Sequence, residues 1–205
     1  VFANTTFAKF ARYYHVMSIT QIISESIRIK QQLIADSTFE QRLNEAANLC
    51  ITSLTGNGKI LFCGNGGSAA DAQHLAAELS GRFKKERKPL NAEALHTNSS
   101  YMTAVANDYG FEHVYSRLVE AIGHKGDILF AISTSGNSQN IVNAAVQARK
   151  NGLKVIAMTG EGGGKLADVC DLLIAIPSSD TARIQEIHIM AGHIICELIE
   201  NKMFG

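Results

Sequence analysis

Residues 59–68 read Lys59-Ile60-Leu61-Phe62-Cys63-Gly64-Asn65-Gly66-Gly67-Ser68, and residues 127–138 read Asp127-Ile128-Leu129-Phe130-Ala131-Ile132-Ser133-Thr134-Ser135-Gly136-Asn137-Ser138. Each is an apolar, strand-like run that ends in a Gly/Ser-rich loop and opens an amphipathic, helix-like run. Two such junctions predict parallel strands followed by helices, with both loops at the carboxyl ends of the strands, where open α/β sheets collect ligands. Glycine lets a backbone approach a ligand closely, helix N-termini offer unpaired N–H groups and partial positive charge, and hydroxyls add neutral donors. The combination suits a phosphate ester. The plainer alternative is a pair of tight turns that only redirect the chain. The hydroxyls of Ser68, Ser133, Thr134, Ser135 and Ser138 favour the anion site.

Outward from these loops, further strand candidates are 91–95, 154–158 and 172–176, and helical stretches occupy 68–80, 98–107, 111–122, 138–150 and 181–202. The alternation predicts an α/β fold: a parallel five-stranded sheet flanked by helices, with an N-terminal helical extension. Residues 18–54 read as two helices. Ile19, Ile22, Ile23, Ile27 and Ile29 form an apolar stripe on the first, which Leu33 and Ile34 extend. Ser37 or Thr38 caps the second, and Gly56-Asn57-Gly58 ends it. Such a prefix packs against its own sheet or against another subunit. The chain begins with Val and its first methionine is Met17, so residues 1–16 are read as an added or upstream extension. Residues 17–205 are read as one domain, with helices over 17–55 and the α/β core over 56–205. Gly162-Gly163-Gly164 reads as a turn only.

The 205 residues are 46% hydrophobic, which argues against disorder, and the 19 basic residues equal the 19 acidic ones. A neutral chain lacks the field of a dedicated duplex-DNA binder, so no nucleic-acid partner is expected. The run Arg82-Phe83-Lys84-Lys85-Glu86-Arg87-Lys88 is read as a solvated loop. Cys50, Cys63, Cys170 and Cys196 form no Cys-x-x-Cys pair and fit a reducing cytoplasm. No apolar run reaches membrane-spanning length, so no membrane partner is expected.

Neither loop carries a nucleotide signature. Ser68-Ala69 stands where a dinucleotide fingerprint needs its third glycine, Ala94-Leu95-His96 replaces the acid that ends its second strand, and no P-loop lysine follows either loop. A sugar phosphate held by hydroxyls and N–H groups is the better reading. His74 and Glu78 stand at i, i+4 beyond the first loop, and Gln185, Ile189 and His193 at i, i+4, i+8 on the last helix. Two imidazoles, a carboxylate and an amide oxygen suit zinc or a similar divalent ion. The plain alternative for His74 and Glu78 is a surface pair. His188, three residues from Gln185, is read as structural.

Gly64-Asn65-Gly66-Gly67-Ser68-Ala69-Ala70-Asp71-Ala72-Gln73-His74-Leu75-Ala76-Ala77-Glu78-Leu79-Ser80-Gly81-Arg82 resembles the phosphoheptose isomerases of the sugar-isomerase (SIS) superfamily. The likeness continues through Ala106-Asn107-Asp108-Tyr109-Gly110-Phe111, the Ser133–Ser138 loop and Ala182-Arg183-Ile184-Gln185-Glu186-Ile187-His188-Ile189, and covers about residues 18–202. The resemblance implies a flavodoxin-like three-layer SIS sandwich. It implies Ser133, Thr134, Ser135 and Ser138 as phosphate contacts. Asn65, Gly66, Gly67, Ser68, Arg82, Asn107, Asp108 and Gln185 would be further substrate contacts. Glu78 and His193 would be the catalytic acid/base pair, with His74, Glu78, Gln185 and His193 as ligands of one zinc per subunit. It further implies a cytoplasmic homotetramer with shared active sites. The reaction would convert sedoheptulose 7-phosphate to D-glycero-D-manno-heptose 7-phosphate, the first step toward nucleotide-activated heptose for lipopolysaccharide. Ala69-Ala70 and the stretch Ser178-Ser179-Asp180-Thr181 depart from some members. Two rivals share the superfamily. One is a replication-initiator-binding SIS protein, whose chains lose the equivalents of Glu78 and His193. The other is an SIS isomerase of another sugar phosphate, which lacks the His74/Glu78 arrangement.

Overall fold

The computed structural model describes residues 17–205, so the reading of residues 1–16 lies outside the described residues. The apolar runs become β1 (Ile60–Gly64), β2 (Ala92–Ala94), β3 (Ile128–Ser133), β4 (Lys154–Thr159) and β5 (Leu172–Ala175), all parallel, in the order β2-β1-β3-β4-β5. Every residue of β1 and β3 is buried. That is the signature of central strands covered on both faces, and it explains why their sequences run apolar without alternating.

The pleat sends alternate side chains into two cores. Ile60, Phe62, Phe130, Ile156 and Ile174 face α1 (Ile19–Ala35), α2 (Ser37–Thr55), α3 (Gly67–Ser80) and α7 (Thr181–Phe204). Leu61, Leu129, Ala131, Val155 and Ala157 face α4 (Ser99–Tyr109), α5 (Val114–Ile122) and α6 (Gln139–Lys150). Phe62 and Phe130 pair in register and stack with centroids 4.9 Å apart, locking β1 to β3 in the first core. The strand order reverses between these two strands, so the Gly/Ser loops that follow them stand side by side at the crevice of the sheet.

Three local readings need correction. The helix expected over 111–122 begins as a 3₁₀ turn, Phe111–His113, set off by Gly110 at φ +92°. Asp36, not Ser37 or Thr38, caps α2: its extended backbone leaves Oδ1 free to accept the Thr38 N–H at 2.9 Å, while Ser37 is already helical. The apolar stripe of α1 divides. Ile29 and Leu33 enter the core, whereas Ile19, Ile22, Ile23, Ile27 and Ile34 are exposed. Helix α1 is tied to the start of α7, where Ser26 Oγ donates to Glu186 Oε2 at 2.8 Å and Arg183 Nη1 donates to Ile22 O at 3.1 Å. No described helix is long and apolar enough to cross a membrane.

Candidate active site

Helices α1, α2, α4 and α7 each begin with a side-chain cap, from Ser18, Asp36, Asn98 and Asp180. The two helices that follow the Gly/Ser loops do not. Helix α3 opens from Gly66 at φ +55°, which has no side chain to offer, and α6 opens from Ser138, whose hydroxyl makes no capping bond. Ser68, Ala69 and Ile141 N–H already bond the carbonyls of Asn65, Gly66 and Ser138, so only the N–H groups of Gly67, Gln139 and Asn140 are left in these first turns, beyond β1 and β3. Ser135 is exposed, and Thr134 and Ser138 are half-buried. Ser133 is buried and donates to Ser138 Oγ at 3.1 Å.

The loops are held from beneath. Gly136, at φ +64°, lies so close to the Gly163 carbonyl that any Cβ would collide with it. Leu166 N–H donates to Gly136 O at 3.0 Å, Lys165 N–H to Asn137 Oδ1 at 3.1 Å, and Gly160 N–H to Thr134 O at 2.9 Å. Gly163 and Gly164 thus brace the serine loop, and the reading of Gly162-Gly163-Gly164 as a turn only is overturned. On the other strand, Tyr115 Oη donates to Gly64 O at 2.6 Å, and Asn65 and Asn140 exchange two side-chain bonds of 2.9 Å. Ser68 is buried against Gly64.

A second set of groups lies in the groove between α3 and α7. His74 Nε2 is 2.9 Å from His193 Nε2 and 3.0 Å from Glu78 Oε1. One ligand atom from each of the three residues falls within 4.8 Å of the others. The helices approach closely here because Gly192 presents no side chain to Leu75. Phe83 stacks on His193 with centroids 5.5 Å apart, and His74 is half-exposed at the mouth of the groove. His74 lies seven helical steps beyond Gly67, so the triad stands about 10 Å along α3 from the uncapped N-terminus.

The remaining sequence candidates are placed differently. Gln185 faces α3, as His193 does, but its amide lies over Gly67, where a Cβ would come within 2.5–2.8 Å of it. It thus touches the first loop rather than the triad. Asn107 and Asp108 lie exposed at the end of α4. The Asn107 Nδ2 group donates to Asp108 Oδ1 at 2.9 Å, and among the described residues no hydrogen bond joins either to the loops. Arg82 is exposed beyond the C-terminus of α3, away from both loops of this chain.

The reading of 82–88 as a solvated loop holds for Arg82, Lys84, Glu86 and Lys88, which are exposed, but not for the Arg87 side chain. Arg87 Nε bonds Glu200 Oε1 at 2.8 Å with both side chains buried, and Glu200 also accepts the N–H groups of Phe83, Lys84 and Lys85. Burial alone would raise the Glu200 carboxyl. The Lys84 and Lys85 N–H groups and Arg87 outweigh it and hold the group below its ordinary range. The segment is a clamp that sets Phe83 against His193. His188 is fully buried, with Nε2 3.1 Å from Thr159 O, and desolvation lowers its pKa to about 4. Asp71 shares the face of α3 that carries His74 and Glu78. Desolvation raises its carboxyl to about 6, although His74 opposes the shift.

Residues 21–160 match the family model described as the SIS domain. The phosphoheptose isomerase of Rhodospirillum rubrum is 58% identical over 159 residues, which cover 78% of this chain and 85% of that protein. The phosphoheptose isomerase of Akkermansia muciniphila is 48% identical over 188 residues, which cover 89% of this chain and all of that protein. Among solved structures, the phosphoheptose isomerase of Neisseria gonorrhoeae superposes with a TM-score of 0.84 at 46% identity, covering 89% of this chain and 97% of that one. The chain belongs to the phosphoheptose isomerases, a family of isomerase enzymes built on the SIS domain.

Proposed function

We propose that this enzyme interconverts sedoheptulose 7-phosphate and D-glycero-D-manno-heptose 7-phosphate, opening the route to nucleotide-activated heptose. The observation that carries the reading is the convergence of His74, Glu78 and His193 within 4.8 Å in a chain that also carries the two uncapped Gly/Ser loops. The phosphate docks on Ser133, Thr134, Ser135 and Ser138 and on the N-terminus of α6. Asn65, Gly66, Gly67, Ser68 and Gln185 line the sugar beyond it, and Asn107, Asp108 and Arg82 contact it from outside the loops. Anchoring the distal phosphate fixes the reacting carbons against the acid/base groups.

The reaction moves a carbonyl from C2 to C1. Glu78 takes the proton from C1, the enediol forms, and the same carboxyl returns the proton to C2. With no ion on its Nε2, His193 passes the hydroxyl proton from O1 to O2. Atoms balance with no external oxidant, because C1 is oxidised as C2 is reduced. The triad fits a divalent cation. Its separations of 2.9 and 3.0 Å are close to the roughly 3.3 Å between neighbouring ligands of a tetrahedral zinc. His74, Glu78 and His193 would hold the ion, with Gln185 as the fourth ligand. Gln185 stands two turns before His193 and has to swing from Gly67 or come from a second copy. Bound zinc supplies Lewis acidity at the sugar oxygens. Glu78 Oε1 lies 3.0 Å from His74 Nε2, and Oε2 would carry the proton transfer.

The exposed isoleucines of α1 fit a homotetramer, in which the half-exposed triad of one subunit and the loops of another share an active site. The cysteines and the reaction suit the cytoplasm, and the product suits lipopolysaccharide assembly. The test is a panel of sugar phosphates with metal analysis of protein purified without chelator. Turnover of sedoheptulose 7-phosphate above an amino-sugar phosphate, with about one zinc per chain, is expected. No turnover of the heptulose favours the initiator-binding rival, and preference for the amino sugar favours another SIS isomerase.

A further inference from the structure

We propose that Asn140 is a positioning residue for the isomerisation, holding Asn65 and the Gly66–Ser68 turn in register with the serine loop. The inference rests on the phosphate reading above. Asn140 is the second residue of α6 and is 3% exposed, so it does not itself reach substrate. Its Nδ2 group donates to Asn65 Oδ1 at 2.9 Å, and Asn65 Nδ2 donates to Asn140 Oδ1 at 2.9 Å. Asn140 Oδ1 also accepts the Ile141 N–H at 3.0 Å. Among the described residues, no other side-chain hydrogen bond joins residues 64–68 to residues 133–140.

The sheet fixes the spacing of β1 and β3, but the ladder ends at Gly64 and Ile132. Beyond that point nothing in the sheet sets how the first loop leans toward the second. A reciprocal amide pair does. Each amide must both donate and accept, so the pair tolerates one mutual orientation. It also occupies the Asn65 oxygen from one side and one of its N–H groups. The other N–H makes no hydrogen bond among the described residues, and the pair fixes its direction. Asn140 therefore acts on the sugar through Asn65, while the phosphate loop keeps its own bracing from Gly160, Lys165 and Leu166.

The test compares Asn140→Ala, Asn140→Ser, Asn65→Ala and the double alanine variant. Steady-state constants for sedoheptulose 7-phosphate are measured beside the inhibition constant of inorganic phosphate, which needs only the serine loop. Asn140→Ala is expected to lower kcat/KM at least tenfold, chiefly in kcat, with phosphate inhibition within twofold of the parent. The double variant is expected to lie within twofold of Asn65→Ala. Asn140→Ser, which keeps a hydroxyl for the Ile141 N–H, gives the same pattern and serves if the alanine variant does not fold. Unchanged kcat/KM, phosphate inhibition that weakens in step with kcat/KM, or losses that multiply in the double variant would overturn the role. A parent enzyme that phosphate does not inhibit overturns the serine-loop reading, and Asn140 with it.

Discussion

At the scale of single residues, the molecule separates histidines that stand at a surface from one that is sealed inside. His74 and His193 meet at the mouth of a groove, whereas His188, on the same helix as His193, is fully buried. Its displaced pKa has a thermodynamic consequence. An unfolded chain binds a proton at His188 near its ordinary pKa of about 6.5, but the folded chain refuses it until about pH 4. Stability from this group is therefore complete above pH 6.5 and drains away as the pH falls toward 4. Asp71 has the opposite sign. Its carboxyl is raised to about 6, so the folded chain gains a proton first and is stabilised as the pH drops. Urea midpoints between pH 7 and 4, at fixed protein concentration, should fall less steeply for His188→Gln than for the parent, and more steeply for Asp71→Asn. Parallel curves for all three would contradict these environments.

At the scale of elements, the strands and helices were legible because their signals are local. Uniformly buried β1 and β3 announce themselves as apolar runs, and the i, i+4 spacing of His74 and Glu78 needs only the helical period. The meeting of that pair with His193 depends on α3 packing on α7 from 119 residues away. Gly192, which permits the close approach, was the available signal. The clamp was missed for a similar reason. Residues 82–88 look like a charged loop, and only an acid at Glu200, one helical turn after buried Cys196, hints that a cation must be drawn inside. Removing it leaves the buried Arg87 charge without a counter-ion, held only by backbone carbonyls such as those of Glu78 and Leu79. Glu200→Ala should therefore cost about 3–5 kcal/mol in urea unfolding. Glu197→Ala breaks only the exposed pair with Lys84 and should cost at most about 1 kcal/mol. Equal costs would show that the buried pair does not hold the segment.

At the scale of the whole molecule, three features point outward from the chain. Helices α3 and α6 start without caps, the triad lies half-open in its groove, and α1 turns five isoleucines to the surface. The sheet, the glycine braces and the Asn65–Asn140 pair build a rigid frame around the two loops. Sequence pattern alone could name candidate residues but not which of them the fold brings together. That depends on surfaces that carry no periodic signal, as the exposed positions of Arg82, Asn107 and Asp108 illustrate. Proton transfer by the α3 carboxylate is the claim on which the function rests. It is tested most directly by turnover of sedoheptulose 7-phosphate in Glu78→Gln, a variant that keeps the shape of the side chain and removes its basicity. A fall of roughly 10²–10⁴-fold in kcat with unfolding midpoints near the parent's is the expected result, and near-parental turnover in a folded variant would contradict it.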